Sequence, residues 1–306
     1  MKMRIAVIGA GAMGSIYGGR LSLNNEVYLI ATREALAEEI NRSGLKIEEN
    51  GVVNTYHPKA VTDSSKLGPM DLVILFVKAT ASKTALSQNR GIIGPETRLM
   101  TLQNGAGHED ILGEFADAEH IIIGTTEDNG AVLGQACVRR GGEGRTNVGM
   151  LTEDTDGFLP RLKEAFDSCG FQVKIHGNIQ QLIWDKLFTN VSLSALTGIL
   201  QVDMGFIASN PHAWEMTCRL IHEAMLTARA AGMDFDEEEL KERVRRTSLN
   251  NPQGCTSIRA DLRSGKKTEV DTISGAVVRA AHKYGVDVPC HEFVVNMVHA
   301  MEEKGI

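Results

Sequence analysis

Short apolar runs alternate with longer helix-like segments along the first part of the chain. Within the runs nearly every position is apolar, which is typical of strands buried on both faces of a parallel sheet. Between them, apolar residues recur every three or four positions, as in helices that pack on such a sheet. The predicted strands are residues 4–8, 26–30, 71–77, 98–102, 120–124, 146–149 and 171–175, and the predicted helices are 13–23, 34–41, 109–115 and 158–168.

The pattern changes after Gly177, where strand-like runs stop and only helical periodicity remains. Breakers such as Asn210-Pro211, Gly232 and Gly285 separate the segments. The chain is therefore expected to fold as an α/β domain over residues 1–177 and an all-helical domain over residues 178–306. The predicted helical segments of the second domain are 178–206, 211–231, 236–247, 269–284 and 290–303.

Composition narrows the class of protein without identifying it. The 306 residues suffice for two domains of ~100–200 residues each. A formal net charge of −7 argues against a nucleic-acid or anionic-membrane partner, and no apolar run approaches the ~20 residues of a membrane span. The five cysteines form no CxxC pair and no zinc-ligand spacing, and the chain enters its first strand directly. A cytoplasmic protein without a metal site is expected.

A glycine motif follows the first predicted strand. Residues Gly9, Ala10, Gly11, Ala12, Met13 and Gly14 match G-x-G-x-x-G and open a predicted helix. In this pattern the glycines permit a tight turn, close approach of pyrophosphate and close helix–strand packing, and the helix N-terminus faces the phosphates. An ordinary strand–helix turn is the alternative. The context favours a Rossmann dinucleotide-binding domain.

The end of the second predicted strand bears on which dinucleotide binds. An acidic residue there commonly accepts the ribose 2′-hydroxyl of NAD. Here Arg33 follows a threonine, and a guanidinium binds a 2′-phosphate as a bidentate fork. Glu34 leaves two other readings open, a helix start or a ribose ligand. NADP is favoured over NAD.

Two further loops follow predicted strands. Lys78 comes after an apolar strand, and Asn104 lies in the segment Gln103–Gly107 after the next. Ligands in open α/β sheets bind at such strand ends, so both side chains are cofactor candidates. The alternatives are a lysine whose stem covers apolar surface and a simple Asn-Gly turn.

The first long helix of the second half carries a polar stripe. Lys186, Asn190 and Ser194 recur every four residues, with Thr197 on the same side of an otherwise apolar helix. A stripe of this composition is expected to face a cleft, and a solvent-facing stripe is the alternative. A lysine on a cleft wall can act as a general acid if partial desolvation lowers its pKa.

Three other segments receive structural readings. Thr268-Glu269 precedes an apolar helical run and is explained by a helix start alone. The stretch Arg139–Arg145 is expected to be a hairpin turn with solvated charges. Arg243, with Arg245 and Arg246, is expected on a wet helix face.

Four blocks together resemble the ketopantoate reductase family (2-dehydropantoate 2-reductases). They are GAGAMG at residues 9–14, VKA at 77–79, QNGAG at 103–107, and WDKLFTN at 184–190 followed by S-x-x-x-D-L-R-S-G-x-x-T-E-V-D from Ser257. The blocks span nearly the whole chain in order, which is far more specific than a glycine motif alone. The resemblance implies reduction of ketopantoate to pantoate with NADPH, a step of coenzyme A biosynthesis.

The resemblance also implies residue roles. Residues 9–14 would hold the NADP pyrophosphate and Arg33 the 2′-phosphate, while Lys78, Asn104 and Ala131 would line the cofactor. Lys186 would donate the proton to the ketone, and Glu269 would bond near the cofactor ribose and the substrate. Asn104, Asn190 and Ser257 would orient the keto acid.

One position departs from the family pattern. Ser194 stands where the family commonly has a second asparagine that binds the substrate's hydroxyl end. The shorter hydroxyl can still donate to or accept from the substrate, so Ser194 stays a substrate-binding candidate, but it leaves room for a different 2-keto acid. The hypotheses are therefore a ketopantoate reductase, a reductase of another 2-keto acid, and a catalytically silent NADP-binding sensor. A homodimer is one assembly that the sequence allows.

Overall fold

The structure, a computed structural model, describes residues 2–142 and 144–304. The chain forms two compact units. The first unit runs to Gln103 and resumes from His108 to Ile179; the second contains the loop Asn104–Gly107 and the chain from Gln180 onward. The loop that follows the fourth predicted strand thus belongs to the helical unit rather than to the sheet that precedes it.

The first unit contains twelve strands among its described residues. They are β1 Arg4–Ile8, β2 Glu26–Ile30, β3 Leu45–Glu49, β4 Val52–Tyr56, β5 Lys59–Val61, β6 Leu72–Leu75, β7 Arg98–Thr101, β8 Ile121–Thr126, β9 Gly130–Gly134, β10 Cys137–Arg140, β11 Arg145–Met150 and β12 Gln172–Ile175. Its α-helices are α1 Ala12–Leu21, α2 Glu34–Ser43, α3 Ser82–Gln88, α4 His108–Leu112 and α5 Phe158–Asp167.

Eight of these strands form one sheet in the order β12-β11-β8-β7-β6-β1-β2-β5. The six strands from β8 to β5 are mutually parallel, and β11 pairs antiparallel with β8. The order of the parallel strands is that of a Rossmann sheet, with β1 at its centre. All seven strands predicted from the sequence lie in this sheet, and the predicted fold class is confirmed.

A second, four-stranded sheet in the order β4-β3-β10-β9 was not predicted. All five residues of β9 are exposed, and so are four of the five in β4. β9 is a short apolar run and β4 begins with two valines, but these side chains are exposed, so neither strand follows the pattern of a buried strand. The sheet packs against α1: a Cβ at Gly130 of β9 would lie 2.5 Å from the Ile16 side chain.

The expectation of a solvated turn at Arg139–Arg145 is wrong for Arg140, which is buried at the end of β10. Its guanidinium donates to both carboxylate oxygens of Asp128, at 2.8 and 3.1 Å, and to Glu49 at 3.2 Å. A buried guanidinium requires such partners because desolvating an unpaired charge is costly. Arg139 is exposed, and Glu143 lies outside the described residues.

The second unit is helical. Its helices are α6 Ile179–Leu200, whose first residue belongs to the first unit, α7 Met204–Ser209, α8 Pro211–Ala230, α9 Glu237–Asn250, α10 Ser257–Arg263, α11 Ser274–Tyr284 and α12 Pro289–Lys304. The predicted segment 178–206 is two helices, because the chain turns at Gln201 with a φ of 55°. Thr268 and Glu269 precede a 3-10 helix, Val270–Thr272, rather than an α-helix. No helix within the described ranges combines the length and apolar character of a membrane span.

Candidate active site

The glycine turn between β1 and α1 has the geometry of a phosphate-binding loop. Gly9 has a φ of +108°, which disfavours any residue with a Cβ. A Cβ on Gly14 would lie 1.8 Å from the Gly9 carbonyl oxygen, so only glycine allows α1 to pack this closely. A Cβ on Gly11 would meet nothing within 4 Å. The backbone at Gly11 is therefore open on the side where a diphosphate can approach.

The first turn of α1 offers backbone donors to an anion. Gly11 is the N-cap, and no side chain caps the helix or places an acid in its first turn. The N–H groups at the start of a helix lack intrahelical acceptors and lie at the positive end of its dipole. Ala10, Ala12 and Met13 complete the turn with small or apolar side chains. These residues fit the pyrophosphate of a dinucleotide.

Arg33 lies at the C-terminal end of β2, where it is exposed and forms the N-cap of α2. No hydrogen bond or ion pair to its guanidinium is found among the described residues. Glu34 differs, because its carboxylate accepts a hydrogen bond from the Thr62 hydroxyl. Of the two charged residues at this strand end, Arg33 is therefore the one whose side chain has no protein partner among the described residues.

Two further cofactor candidates, Lys78 and Ala131, lie in the first unit. Lys78 is exposed just beyond β6, at the N-cap of a short 3-10 helix. Gln103 joins the ends of β6 and β7, since its Nε2 donates to the Val77 carbonyl at 2.6 Å and its Oε1 accepts from Thr101 at 2.8 Å. Ala131 is exposed on β9. Gln103 is a positioning residue that the sequence reading did not single out.

Lys186 and Asn104 meet directly within the second unit. The Lys186 Nζ donates to the Asn104 Oδ1 at 3.1 Å. The loop carrying Asn104 is fixed by Gly105, whose φ is +100° and where a Cβ would lie 2.2 Å from the Thr272 carbonyl oxygen. The Ala106 N–H donates to that same oxygen at 3.0 Å. Two residues that are 82 positions apart are thus joined by one specific contact.

The packing of α6 explains how Lys186 is presented. Leu187 and Phe188 are buried on the opposite side of the helix, while Lys186 is exposed. Arg243 of α9 donates to the Asp185 carboxylate at 2.5 Å and to the Asp185 carbonyl at 3.0 Å. The reading of Arg243 as a solvated surface residue is wrong, because it fixes this turn of α6.

The remaining substrate candidates lie on α6 and α10. Asn190 is partly exposed, Ser194 is buried, and Ser257 is exposed as the first residue of α10. Thr197 is fully buried instead of completing an open stripe. Its hydroxyl lies 2.7 Å from the hydroxyl of Thr256, the N-cap of α10. This contact joins the two helices beside Ser257.

Glu269 lies in the short segment before the 3-10 helix and is partly exposed. Its backbone carbonyl accepts from the N–H groups of Thr272 and Ile273. Within residues 2–142 and 144–304, no hydrogen bond or ion pair to its carboxylate is found. A fixed backbone and a carboxylate without a partner among these residues are compatible with the role that the family resemblance implies.

Two sequence models of one family match the chain. That of "Ketopantoate reductase PanE/ApbA" matches residues 5–153, and that of "Ketopantoate reductase PanE/ApbA C terminal" matches residues 178–302. The 2-dehydropantoate 2-reductase of Pyrococcus horikoshii is 30% identical over 304 residues, 99% of each chain. That of Lactococcus lactis subsp. lactis is 30% identical over 307 residues, 98% of each chain.

Solved structures with a similar fold also cover nearly the whole chain. D-mandelate dehydrogenase in complex with NADH and anilino(oxo)acetate is similar with a TM-score of 0.86 and 30% identity, covering 99% of each chain. The PanE/ApbA family ketopantoate reductase from Ralstonia eutropha JMP134 has a TM-score of 0.87 and 27% identity at the same coverage. The chain belongs to the ketopantoate reductase family of oxidoreductases.

Proposed function

We propose that this enzyme reduces the ketone of a small 2-keto acid with NADPH and that its substrate is ketopantoate, which yields pantoate for pantothenate and coenzyme A biosynthesis. The observation that carries the proposal is the hydrogen bond between the Lys186 ammonium and the Asn104 amide oxygen, at 3.1 Å. It fixes a proton donor beside an amide that can orient a carbonyl or carboxylate. The nicotinamide, when bound, supplies the hydride to the carbonyl carbon.

The chain's own residues account for the rest of the reaction. The carbonyl oxygen gains negative charge as hydride arrives, and the Lys186 ammonium stabilises that charge. Lys186 then gives the oxygen a proton and becomes a neutral amine, which solvent reprotonates. Asn104, Asn190 and Ser257 supply the amide and hydroxyl groups that orient the keto acid. Glu269 would hydrogen-bond the substrate and the cofactor ribose.

The choice of NADPH rests on Arg33 and Glu34. An exposed guanidinium at the end of β2 suits a 2′-phosphate, which it binds with two parallel hydrogen bonds. Glu34 is bonded to Thr62 and begins α2, which supports its reading as a helix start over that of a ribose ligand. Residues 9–14 would hold the pyrophosphate, with Lys78 and Ala131 lining the cofactor.

A second candidate substrate is a bulkier 2-keto acid. Ser194, buried on α6, is shorter than the asparagine expected at this position, and a shorter side chain favours a substrate with a larger substituent. D-mandelate dehydrogenase, whose complex contains an aromatic oxo acid, has a similar fold over the full length of this chain. These two observations favour an aromatic or branched keto acid over any other alternative.

A substrate panel separates these possibilities. We expect NADPH oxidation with ketopantoate to exceed that with 2-oxoisovalerate and benzoylformate in kcat/KM by about tenfold or more, because each buried polar group left unpaired costs about 1–3 kcal/mol. The measurement is initial-rate kinetics at 340 nm with NADPH and with NADH.

Preference for benzoylformate would replace ketopantoate by the second candidate. A chain that binds NADPH but oxidises it with no keto acid of the panel would contradict the proposal and support a sensor without catalysis. A higher kcat/KM with NADH than with NADPH would contradict only the assignment of Arg33 to the 2′-phosphate.

A further inference from the structure

The last helix, α12, carries a histidine that bridges two carboxylates in the second unit. The His299 Nε2 lies 3.1 Å from the Asp271 Oδ1, and its Nδ1 lies 3.1 Å from the Glu302 Oε2. Glu302 is the more buried partner, with 9% of its side chain exposed against 52% for Asp271. The other Glu302 oxygen accepts the Thr268 N–H at 2.7 Å. The imidazole therefore completes a chain of contacts that begins and ends on the segment Thr268–Asp271.

That segment contains Glu269. Thr268, the first residue of the segment, is held to α12 through its backbone N–H. Asp271, the last residue, is held through its side chain, so both ends are fixed to α12. The Glu269 backbone lies between the two attachments. A displacement of either end changes where the Glu269 carboxylate points, because Glu269 is adjacent to Thr268 and only Val270 separates it from Asp271.

The same segment supports the loop that carries Asn104. The Thr272 carbonyl accepts the Ala106 N–H at 3.0 Å, and the Asp271 carbonyl accepts from Arg279 Nη1 at 2.8 Å. Gly107 lies against Arg279, where a Cβ would be 3.0 Å from Nη2. The contacts thus run from α12 through Asp271 and Thr272 to the loop whose Asn104 accepts a hydrogen bond from Lys186.

The double bridge depends on the protonation of His299. A protonated imidazole donates from both nitrogens, whereas the neutral ring carries a single N–H. Both neighbours are carboxylates and offer only acceptors when ionised. Loss of the proton therefore turns one hydrogen bond into a contact between a nitrogen lone pair and an anion.

Charges on the other elements that pack on α12 are engaged elsewhere. On α11, Arg279 donates to the Asp271 backbone and His282 lies 3.0 Å from Glu292. On α8, the Glu223 carboxylate accepts from the backbone N–H groups of residues 290 and 291 at the other end of α12. Among the described residues, Asp271 and Glu302 are the charged groups that act on His299.

We propose that protonated His299 is a positioning residue, which holds Glu269, and through Thr272 the Asn104 loop, in the arrangement that the keto acid requires. The inference rests on the proposed function, since it assigns Glu269 and Asn104 to the keto-acid site. His299 contacts neither of these side chains in the structure and acts through the segment between them.

The pKa of His299 supports this assignment. Burial lowers it, but the hydrogen bonds to Glu302 and Asp271 outweigh burial and raise it above its ordinary value. A histidine with a raised pKa in the folded state contributes its full stabilisation below the unfolded pKa of about 6.5. That contribution is lost as the pH rises through the folded pKa. The keto-acid site is therefore best ordered on the acidic side of this transition.

The test compares His299→Gln with His299→Arg in the full chain. Glutamine carries no charge and can donate to one carboxylate, whereas arginine donates to both at every working pH. We expect His299→Gln to lower kcat/KM for the keto acid by about tenfold or more, since small misplacements of substrate-positioning groups cost factors of this order. The Kd for NADPH should change less than kcat/KM, because the phosphates are assigned to residues of the first unit and only the ribose contact involves Glu269.

The pH profile distinguishes positioning from general loss of structure. Wild-type kcat/KM should decrease as the pH rises above ~6.5, and this decrease should be absent in both variants. His299→Arg should have the activity that the wild type shows at acidic pH. His282→Gln is the matched control, because His282 also pairs with a carboxylate but contacts neither Thr268 nor Asp271. It should behave as wild type.

Nuclear magnetic resonance gives a readout without turnover. The His299 imidazole, assigned by its absence in His299→Gln, should titrate above pH ~6.5 and shift downward in Glu302→Gln. Unchanged kinetics in His299→Gln, or an imidazole that titrates at or below this pH, would overturn the proposal. If the wild type reduces no keto acid, the proposed function fails. The titration of His299 and hydrogen exchange of the backbone amides at 268–272 would still test whether His299 holds this segment.

Discussion

Lys186 holds its ammonium exposed on α6 while donating a hydrogen bond to Asn104. A lysine with this freedom can reach a substrate oxygen, and the amide restrains where it points. The neighbouring Asp185 is held by Arg243, so the turn that carries Lys186 is fixed from its other side. Presentation of the amine is decided by the residues around it rather than by burial.

Replacement of Lys186 tests its role as proton donor. We expect Lys186→Ala to lower kcat by ~10²-fold or more, the usual effect of losing a general acid. NADPH binding, measured by fluorescence titration, should be unchanged. Lys283→Ala, an exposed lysine on α11, is the control. Wild-type turnover in Lys186→Ala would exclude Lys186 from the mechanism.

Arg33 is the corresponding test of cofactor choice. Arg33→Ala should weaken NADPH binding by about ten- to a hundredfold, because a charge-assisted bidentate contact contributes roughly 1.5–3 kcal/mol. NADH binding should hardly change. Arg42→Ala is the control, since Arg42 lies on the same helix and is paired with Glu39. Equal losses for both cofactors would contradict the 2′-phosphate assignment.

Among the elements, α6 and α10 approach closely enough that side-chain size is restricted between them. A Cβ at Gly198 would lie 2.7 Å from Ile258, so this contact depends on glycine. At the preceding residue of α6, the Thr197 hydroxyl lies 2.7 Å from the Thr256 hydroxyl. The two contacts place Ser257, at the start of α10, beside the helix that carries Asn190 and Ser194.

This helix contact can be broken without changing side-chain shape. Thr197→Val removes the hydroxyl pair and should destabilise the protein by about 1 kcal/mol, as for a typical buried hydrogen bond. KM for the keto acid should rise several-fold while the Kd for NADPH stays constant.

Thr227→Val is the control for this substitution, because its buried hydroxyl donates only to the Glu223 carbonyl of its own helix. Chemical denaturation gives the stability change, and steady-state kinetics gives KM. Equal effects of the two valines on KM would show that the link to Thr256 does not organise the substrate residues.

At the scale of the whole molecule, the candidate cofactor and keto-acid residues divide between the two units. The first unit holds the glycine turn and Arg33, and the second holds Lys186, Asn104 and Glu269. The net charge of −7 does not prevent a local site for phosphates, because Arg33 and Lys78 both follow strands of the parallel sheet. Substitutions in one unit should therefore separate cofactor affinity from keto-acid turnover.

The sequence determined the two-part architecture, the glycine turn and the identity of the proton-donor candidate. These features depend on local physics: apolar periodicity decides buried strands and helices, and the positive φ of Gly9 reflects a turn that glycine allows. The family resemblance rests on blocks of the same local kind. It did not depend on contacts between distant residues.

Only the tertiary structure decided which distant residues meet. The second sheet escaped prediction because its edge strands are exposed, and Arg140 escaped because its partners Asp128 and Glu49 come from other parts of the chain. The bond between Lys186 and Asn104 and the bridge made by His299 are likewise long-range. Hydrogen bonds and ion pairs of this kind require the folded arrangement, since nothing in local spacing sets their distances.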